Sequence, residues 1–205
     1  MTVRPVRALR FALAPAAVRG FVLTLAMAAV AAHAEAPVWS VVPAQSSVTF
    51  VATQQGEKFT GVFGTFTARI QFAPTDAASS RLEATLQMAS ATSRSAERDD
   101  ALASSAWFDS AHYPVASFRT VAVRAAAAGA AGGTADADLT IKGHTRRIVF
   151  PFGWEVRPGG AVLDARVTLD RLDFGVGAGE WADASIIGHK VEVIVHLVLV
   201  PATGH

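Results

Sequence analysis

The sequence predicts an all-β fold, because most of the chain is built from short segments in which apolar and polar residues alternate with a period of two. The segments Arg81–Met88 and Ala161–Leu169 show this alternation most clearly. Turn residues such as Lys142-Gly143 separate roughly eight segments of this kind, which is typical of a β-sandwich or a β-barrel. Composition and period alone do not choose between those two architectures. One long segment, Thr92–Phe118, does not have the character of a strand.

The N-terminal residues have the pattern of a secretory signal peptide. The basic residues that open the chain are Arg4, Arg7, Arg10 and Arg19. The apolar run Phe21–Ala32 follows, and Ala32-His33-Ala34 forms an A-x-A cleavage site. We therefore expect a signal peptide over residues 1–34, cleavage after Ala34, a periplasmic location and a single domain over residues 35–205. An uncleaved membrane anchor is the alternative, although the run is short for a membrane span. Since no Cys follows the run, a lipoprotein anchor is not expected.

Charge and cysteine content limit the classes of function. The full chain has 18 Lys and Arg, 17 Asp and Glu, and no Cys. Four of the basic residues and none of the acidic residues lie in the first 34 positions, so residues 35–205 carry 14 basic and 17 acidic side chains, a net charge of −3. Nucleic acid is not an expected partner of an acidic domain. Disulfides, thiolate metal sites and thiol catalysis are excluded.

The strands can be assigned in chain order. Trp39–Val42 is a short extended entry that stops at Pro43. In the long segment Phe59–Phe72, Gly61 and Gly64 predict bulges or sharp curvature, which a small barrel needs. The other predicted strands are Ser47–Thr53, Arg81–Met88, Val115–Arg124, Thr134–Ile141, Thr145–Phe152, Ala161–Leu169 and Val191–Val200.

The exceptional segment predicts a short helical insertion near residues 95–110. Ser95 is placed to cap a helix over Ala96–Ser104. The acidic residues expected in its first turn, where the helix dipole favours negative charge, are Glu97, Asp99 and Asp100. Trp107 and Phe108 follow the helix, and Pro114 returns the chain to a strand.

Catalytic motifs are absent from the sequence. It contains no G-x-S-x-G, H-E-x-x-H, P-loop or G-x-G-x-x-G pattern. Asp109, Ser110 and His112 are triad residue types, but neighbours in sequence rarely form a triad in space. The glycine-rich stretch Gly175–Gly179 is interpreted as a loop. We therefore expect a protein that is not an enzyme; a lipid or acyl hydrolase with a dispersed Ser/His/Asp set is the alternative.

No metal ion or cofactor is expected. After the predicted cleavage site the histidines are His112, His144, His189, His196 and His205. No two have the i, i+4 spacing of a helical metal site, and His189 and His196 would point to opposite faces of one strand. Arg98, beside Asp99 and Asp100, has two interpretations: a solvated helix face with a local ion pair, or a contact for an anionic head group at the mouth of a cavity.

The same helical segment resembles a known family. The residues that carry the resemblance are Ala96-Glu97-Arg98-Asp99, Leu102, Trp107-Phe108-Asp109, Tyr113-Pro114 and Phe118. Further support comes from Phe50 with Gly56, Gly61 leading to Gly64-Thr65-Phe66, Ala137–Thr145, Asp173–Gly177 and Gly188. Over Trp39–Val200 the chain resembles the YceI-like, lipocalin-like family of exported polyisoprenoid-binding proteins. The family often has a histidine four residues after the position of Phe50, where this chain has Gln54.

The resemblance implies an eight-stranded antiparallel, lipocalin-like barrel with a helical lid and a long apolar channel. The channel would hold a long-chain isoprenoid lipid, such as a polyprenyl phosphate or a quinone, and the protein would serve as its periplasmic carrier. The residues that we expect to contact the ligand are Phe50, Phe63, Phe118 and Phe174 as wall, Trp107 and Phe108 as lid, and Arg98 at the head group. Some members of the family lie beside membrane cytochromes, so an accessory role with a membrane redox partner is a further alternative. The sequence also leaves open a homodimer.

Overall fold

The computed structural model describes residues 36–126 and 131–202, so the predicted signal peptide lies outside the described residues. The described part of the chain contains eleven β-strands and one α-helix, α1 (Ala96–Ala103). The strands are β1 (Val38–Val41), β2 (Ser47–Gln54), β3 (Glu57–Phe63), β4 (Phe66–Gln71), β5 (Arg81–Gln87), β6 (Ala91–Thr92), β7 (Val115–Ala125), β8 (Gly133–Ile141), β9 (His144–Arg157), β10 (Gly160–Asp170) and β11 (Lys190–Pro201).

Eight of these strands close into an antiparallel barrel in the order β1, β4, β5, β7, β8, β9, β10 and β11. The pairing of β1 with β11, in which Trp39 lies opposite Pro201, completes the ring. The remaining strands extend the sheet from β11 in the order β2, β3 and β6. The prediction of an all-β, eight-stranded antiparallel barrel with one short helical insertion is therefore confirmed.

Two breaks separate strands that the chain connects directly: β1 from β2, and β3 from β4. β1 and β2 both pair with β11, and the 3₁₀ turn Pro43–Gln45 lies between them. The predicted long strand Phe59–Phe72 is also divided, since β3 ends at Phe63 and β4 begins at Phe66. Gly64 lies in this bend, where its N–H donates to the carbonyl of Ser90 at 3.0 Å. The curvature expected at Gly64 is therefore present, as a break between two strands. The bulge or curvature expected at Gly61 is wrong, because Gly61 lies opposite Phe50 in a regular part of the β2–β3 ladder.

Alternation along the strands decides which side chains enter the barrel. In β7, Ala116 and Thr120 are buried while Ser117 and Arg119 are not. A bulge between Thr120 and Ala122 shifts the register, so the next buried residue is Val123. The hydroxyl of Thr120 accepts the N–H of Leu82 at 3.0 Å, which satisfies a buried donor beside the bulge.

The interior consists of two clusters at opposite ends of the barrel. The first, which we call the base cluster, is filled with aromatic side chains: the rings of Phe72 and Trp154 are 4.8 Å apart, and those of Phe72 and Phe152 are 5.1 Å apart. Phe72 has no solvent exposure. Trp39 lies against this cluster and its indole N–H donates to the carbonyl of Phe72 at 3.0 Å. The base cluster therefore closes one end of the barrel.

The second cluster, which we call the cavity cluster, lies at the other end beneath α1. It joins the inward residues of several strands to α1 and the loops that follow it, through Leu102, Phe108 and Phe174. Within residues 36–126 and 131–202 we find no helix that combines the length and the apolar character of a membrane span. The helix α1 instead contributes one buried residue, Leu102, to the cavity cluster.

Candidate ligand cavity

A cavity of about 320 Å³ lies inside the barrel between the two clusters, within the size range of small-molecule sites. Its floor is formed by members of the base cluster, including Ile70, Leu82 and Leu163. Its roof is formed by residues of and after α1, such as Leu102. Because aliphatic and aromatic side chains make up most of the wall, the cavity favours an apolar ligand.

All seven residues that were predicted to contact a ligand line this cavity. Phe50, Phe63, Phe108 and Phe174 are buried, whereas Phe118, Trp107 and Arg98 are partly exposed. The structure therefore brings the predicted residues together around one space. That they contact a ligand remains a prediction.

The aromatic wall depends on a glycine. A Cβ atom at Gly61 would lie 2.1 Å from the ring of Phe50, so the ring occupies the space that any other side chain would need. Phe50 then contacts Phe63 at a centroid distance of 5.4 Å, and Phe63 contacts Phe108 at 6.1 Å. These three rings form a continuous wall from β2 through β3 to the segment after α1.

Polar residues of the lining are concentrated near α1 and the β2–β3 hairpin. Glu97 and Ala101 on α1 are exposed, and Gln54, Ser95 and Arg98 are half-buried. We call these five residues the mouth of the cavity. A ligand with an apolar chain and a polar end would place its polar end here, where water remains available.

The helix α1 is fastened at the mouth by Asp99. Its carboxylate accepts hydrogen bonds from the hydroxyl of Thr92 at 2.5 Å and from the N–H and the hydroxyl of Ser93 at 2.6 and 2.7 Å. The Thr92 hydroxyl, followed by the donors of Ser93, lowers the pKa of Asp99 below its ordinary value. The predicted cap, Ser95, occupies the N-cap position, but its side chain makes no capping hydrogen bond. The expected capping role of that side chain is therefore wrong.

Arg98 keeps most of its hydrogen-bonding capacity. Its Nε donates to the hydroxyl of Ser93 at 3.1 Å, and its guanidinium lies 4.9 Å from the ring centroid of Phe59. Among the described residues no acceptor is hydrogen-bonded to its two terminal nitrogens. Four N–H donors of a fixed cation are thus available at the mouth, and this arrangement suits an anionic or carbonyl-bearing head group.

A second arginine, Arg171, also lines the cavity but has a different environment. It is only 4% exposed, and all five of its N–H donors are used by backbone carbonyls. Nε donates to Gly188 at 3.1 Å, Nη1 to Val176 at 2.9 Å and to Gly177, and Nη2 to Trp181 at 2.5 Å and to Ile187 at 2.9 Å. Burial lowers the pKa of Arg171. Its guanidinium organises the loop after β10 and has no donor left for a ligand.

Lys142 ties three surface segments together at the same end of the barrel. Its ammonium donates to the carbonyls of Ser105 at 2.8 Å, Ala106 at 3.4 Å and Gly175 at 3.1 Å. The N–H of Gly177 also donates to the carbonyl of Ala106, at 2.9 Å. Lys142, in the β8–β9 turn, therefore links the segment after α1 to the glycine-rich loop by donating hydrogen bonds to backbone carbonyls of both.

Sequence reasoning missed Arg171, Lys142 and Trp181. Trp181 lines the cavity, with its ring centroid 6.1 Å from that of Trp107. A signal for Arg171 was present in the alternation of Gly175, Gly177 and Gly179, each of which has a positive φ. A Cβ at Gly177 would lie 2.6 Å from Nη1 of Arg171 and 3.0 Å from the ring of Trp107, so the glycine makes room for both side chains. The interpretation of this stretch as a loop is confirmed.

The other polar candidates are separated from the cavity. His112 contacts Asp109 at 2.8 Å, but the Ser110 hydroxyl donates to the carbonyl of Ala103. His189 contacts the carbonyl of Ala182 at 2.7 Å, and His196 contacts Asp164 at 2.6 Å. None of these residues lines the cavity. Within residues 36–126 and 131–202, no group of three or more His, Cys, Asp or Glu side chains is placed to hold a metal ion.

Comparison with protein families gives one match that spans most of the chain. The model of the YceI-like domain matches residues 39–199, which include all or most of every strand of the barrel. No curated protein sequence matches the chain.

Solved structures with the same fold come from several bacteria. BcnA from Burkholderia cenocepacia is 32% identical, with a TM-score of 0.74 over 80% of this chain and 100% of BcnA. A polyisoprenoid-binding domain from Saccharophagus degradans, implicated in plant cell wall breakdown, is 16% identical with a TM-score of 0.63 over 80% of this chain and 98% of its own. The Campylobacter jejuni YCEI protein is 20% identical with a TM-score of 0.61 over 70% and 85% of the two chains.

Proposed function

Because this chain belongs to the YceI-like family, we propose that it is a periplasmic binding protein that carries a long-chain isoprenoid lipid, such as a polyprenyl phosphate or a quinone. The observation that carries the proposal is the cavity of about 320 Å³, apolar inside and polar at one end. The relative from Saccharophagus degradans is described as a polyisoprenoid-binding domain, and this supports the same class of ligand.

The apolar wall supplies the affinity in this proposal. Burial of each CH₂ group contributes about 0.8 kcal/mol, so ten such groups contribute about 8 kcal/mol before the cost of ordering the chain is subtracted. Such a ligand needs few polar contacts to bind. Its selectivity would come from the shape of the cavity and from the groups at the mouth.

The head group would lie at the mouth, beside Arg98. A phosphate there would accept charge-assisted hydrogen bonds from the free terminal nitrogens of Arg98. A quinone carbonyl would accept a single weaker bond. Gln54, at the position where the family often has a histidine, adds an uncharged polar group to the same mouth.

Binding can be tested by fluorescence, because the four tryptophans are divided between the two ends of the barrel. Trp107 and Trp181 line the cavity, whereas Trp39 and Trp154 belong to the base cluster or lie against it. Titration of delipidated protein with geranylgeranyl phosphate is expected to change the fluorescence. The change should disappear in the Trp107→Phe, Trp181→Phe double variant and persist in Trp39→Phe. A flat titration that calorimetry also shows to be without heat would refute the proposal.

The location is tested separately. We expect the purified mature protein to begin at Glu35 and to fractionate with the periplasm. N-terminal sequencing that finds the intact first residues, together with recovery from the membrane fraction, would favour the uncleaved anchor instead.

A further inference from the structure

The backbone ladder of the barrel wall is interrupted between β9 and β10. These strands are paired only from Gly160 opposite Arg157 to Ala165 opposite Phe152. Beyond that point β9 continues to pair with β8, and β10 continues to pair with β11, as far as Asp170. Among the described residues no hydrogen bond, ion pair or ring contact joins residues 144–151 to residues 166–170. We call the space between these two ranges the lateral slit.

The sequence encodes this opening through Pro151. The next pair in register would place Pro151 opposite Arg166, one residue beyond the last pair observed. Proline has no backbone N–H to donate to a ladder, so it is confined to edges, ends and irregular positions of sheets. Pro151 therefore lies where the ladder stops, and the strands diverge from it.

The cavity lies directly behind the slit. Ile148 and Phe150 on β9, and Val167 and Leu169 on β10, point inward and line the cavity. On the outer surface of the same region Val149 is 59% exposed. An apolar chain that passes the rim beside Val149 would therefore meet apolar side chains on the inner wall.

The ends of the slit are fixed. At the end nearer the base cluster, the slit stops at the pair Phe152–Ala165. At the opposite end, Gly175 lies close to the start of β9. Lys142 donates to its carbonyl at 3.1 Å, and a Cβ at Gly175 would lie 3.1 Å from Nε2 of His144. From His144 to Phe152 the edge of β9 runs for roughly 26 Å at about 3.3 Å per residue. The unpaired stretch is therefore long enough to admit an extended lipid chain.

A protein strand fits this space poorly. β9 and β10 are antiparallel to each other, so a strand inserted between them would have to be parallel to one of the two. An isoprenyl or acyl chain has no such requirement. We propose that the lateral slit is the entry site through which the apolar chain of the ligand passes sideways into the cavity, while the head group remains at the mouth. This inference rests on the proposed function.

A chemical cross-link between the two edges of the slit tests whether the ligand enters there. In the extrapolated register Val149 lies opposite Thr168, and both residues are exposed. Because the chain has no Cys, the Val149→Cys, Thr168→Cys variant carries two unique thiols, which a short reducible bismaleimide can join. The matched control is Thr168→Cys, Glu192→Cys, since these residues lie directly opposite in the β10–β11 ladder. A linker between these two residues spans the β10–β11 ladder and does not cross the slit.

Stopped-flow fluorescence with geranylgeranyl phosphate provides the readout. We expect the link across the slit to slow association and dissociation together, each by about 10-fold or more, as a blocked gate does. The affinity at equilibrium should change little, and reduction of the linker should restore both rates. The linked control should behave like the wild type.

Each result is decisive. Unchanged rates in the linked slit variant, or equal slowing in the linked control, would overturn the entry site while leaving the proposed function intact. Absence of binding by the wild-type protein would instead overturn the proposed function, and the entry site with it.

Discussion

The two ends of the barrel are built from the same strands and are packed in opposite ways. In the base cluster the ring of Phe72 lies 5.1 Å from that of Phe152 and 4.8 Å from that of Trp154, and Phe72 has no solvent exposure. In the cavity cluster the rings of Phe50, Phe63 and Phe108 stand 5.4–6.1 Å apart along a wall, and the centre is hollow. One end of the barrel therefore supplies stability, which allows the other end to remain incompletely filled.

The two arginines of the cavity lining also differ in role. Arg171 uses all five donors on backbone carbonyls and is buried, whereas Arg98 uses one donor on a side chain and keeps its terminal nitrogens free. One arginine shapes the loop around the cavity. The other is free to meet a ligand.

The largest effect is expected in the base cluster. Phe72→Ala should lower the free energy of unfolding by about 3–5 kcal/mol, because it removes buried surface and leaves a new cavity. Phe63→Ala, the matched change beside the existing cavity, should lose mainly the transfer term, about 1.5–3 kcal/mol. Urea denaturation of both variants measures the difference. Equal losses would show that the two ends are packed alike.

The two arginines should separate stability from binding. Arg171→Met leaves five carbonyls without their donors, and we expect it to lower the free energy of unfolding by on the order of 3 kcal/mol. Arg98→Met should change that free energy by about 0.5 kcal/mol or less. It should also weaken binding of geranylgeranyl phosphate by about 10-fold.

Denaturation and calorimetry on both variants distinguish these roles. Geranylgeraniol, which has the same chain and no phosphate, serves as the ligand control, and Arg98→Met should bind it as the wild type does. If Arg98→Met weakened the binding of geranylgeranyl phosphate and of geranylgeraniol equally, Arg98 would contribute to packing and not to recognition of the phosphate.

Local pattern was sufficient for most strands, but it could not show how the barrel closes. The period of two located β5, β7 and β10 to within a residue or two, because each strand has one buried face. Closure depends on the pairing of Trp39 with Pro201, which are far apart in sequence. No local rule connects those residues, so the choice of a barrel over a sandwich came from the family resemblance.

At the site, side chains that act locally were easier to predict than those that act across loops. The aromatic wall followed from apolar positions on strands together with the resemblance. Ser95 was expected to cap α1, but Asp99 instead reaches back to Thr92 and Ser93. Arg171 was missed because its five acceptors lie on a loop whose path cannot be read from composition.

Hydrogen exchange should reveal a difference between the slit and the neighbouring ladder. Alternate amides in residues 144–150 and 166–170 point into the slit and have no acceptor there, so they should exchange faster than those of Ala161–Leu163, which are paired on both sides. Residue-resolved NMR measures these rates. Pro151→Val restores one N–H and should extend protection toward Arg166. Uniform protection along both strands would show that the wall is closed.

The smallest effect concerns the attachment of α1 at the mouth, and it depends on pH. Hydrogen bonds from Thr92 and then Ser93 lower the pKa of Asp99 in the folded protein, whereas the pKa of an aspartate in the unfolded chain is about 3.9. Above that value the carboxylate is ionised in both states and its stabilising contribution is fully present. As the pH falls below it, the unfolded chain binds the proton first, and the contribution is lost by the time the folded-state pKa has been passed.

Asp99→Asn lacks this titration, so the difference in unfolding free energy between the wild type and this variant should be constant near neutral pH and shrink in acid. Asp100→Asn, a change of the same charge at an exposed neighbour on the same helix, serves as the control and should not reproduce the dependence. Denaturation series across the acidic range measure both differences. A difference that stays constant to the lowest pH at which the protein remains folded would mean that α1 is held to the mouth by packing, through Leu102, and not by the carboxylate.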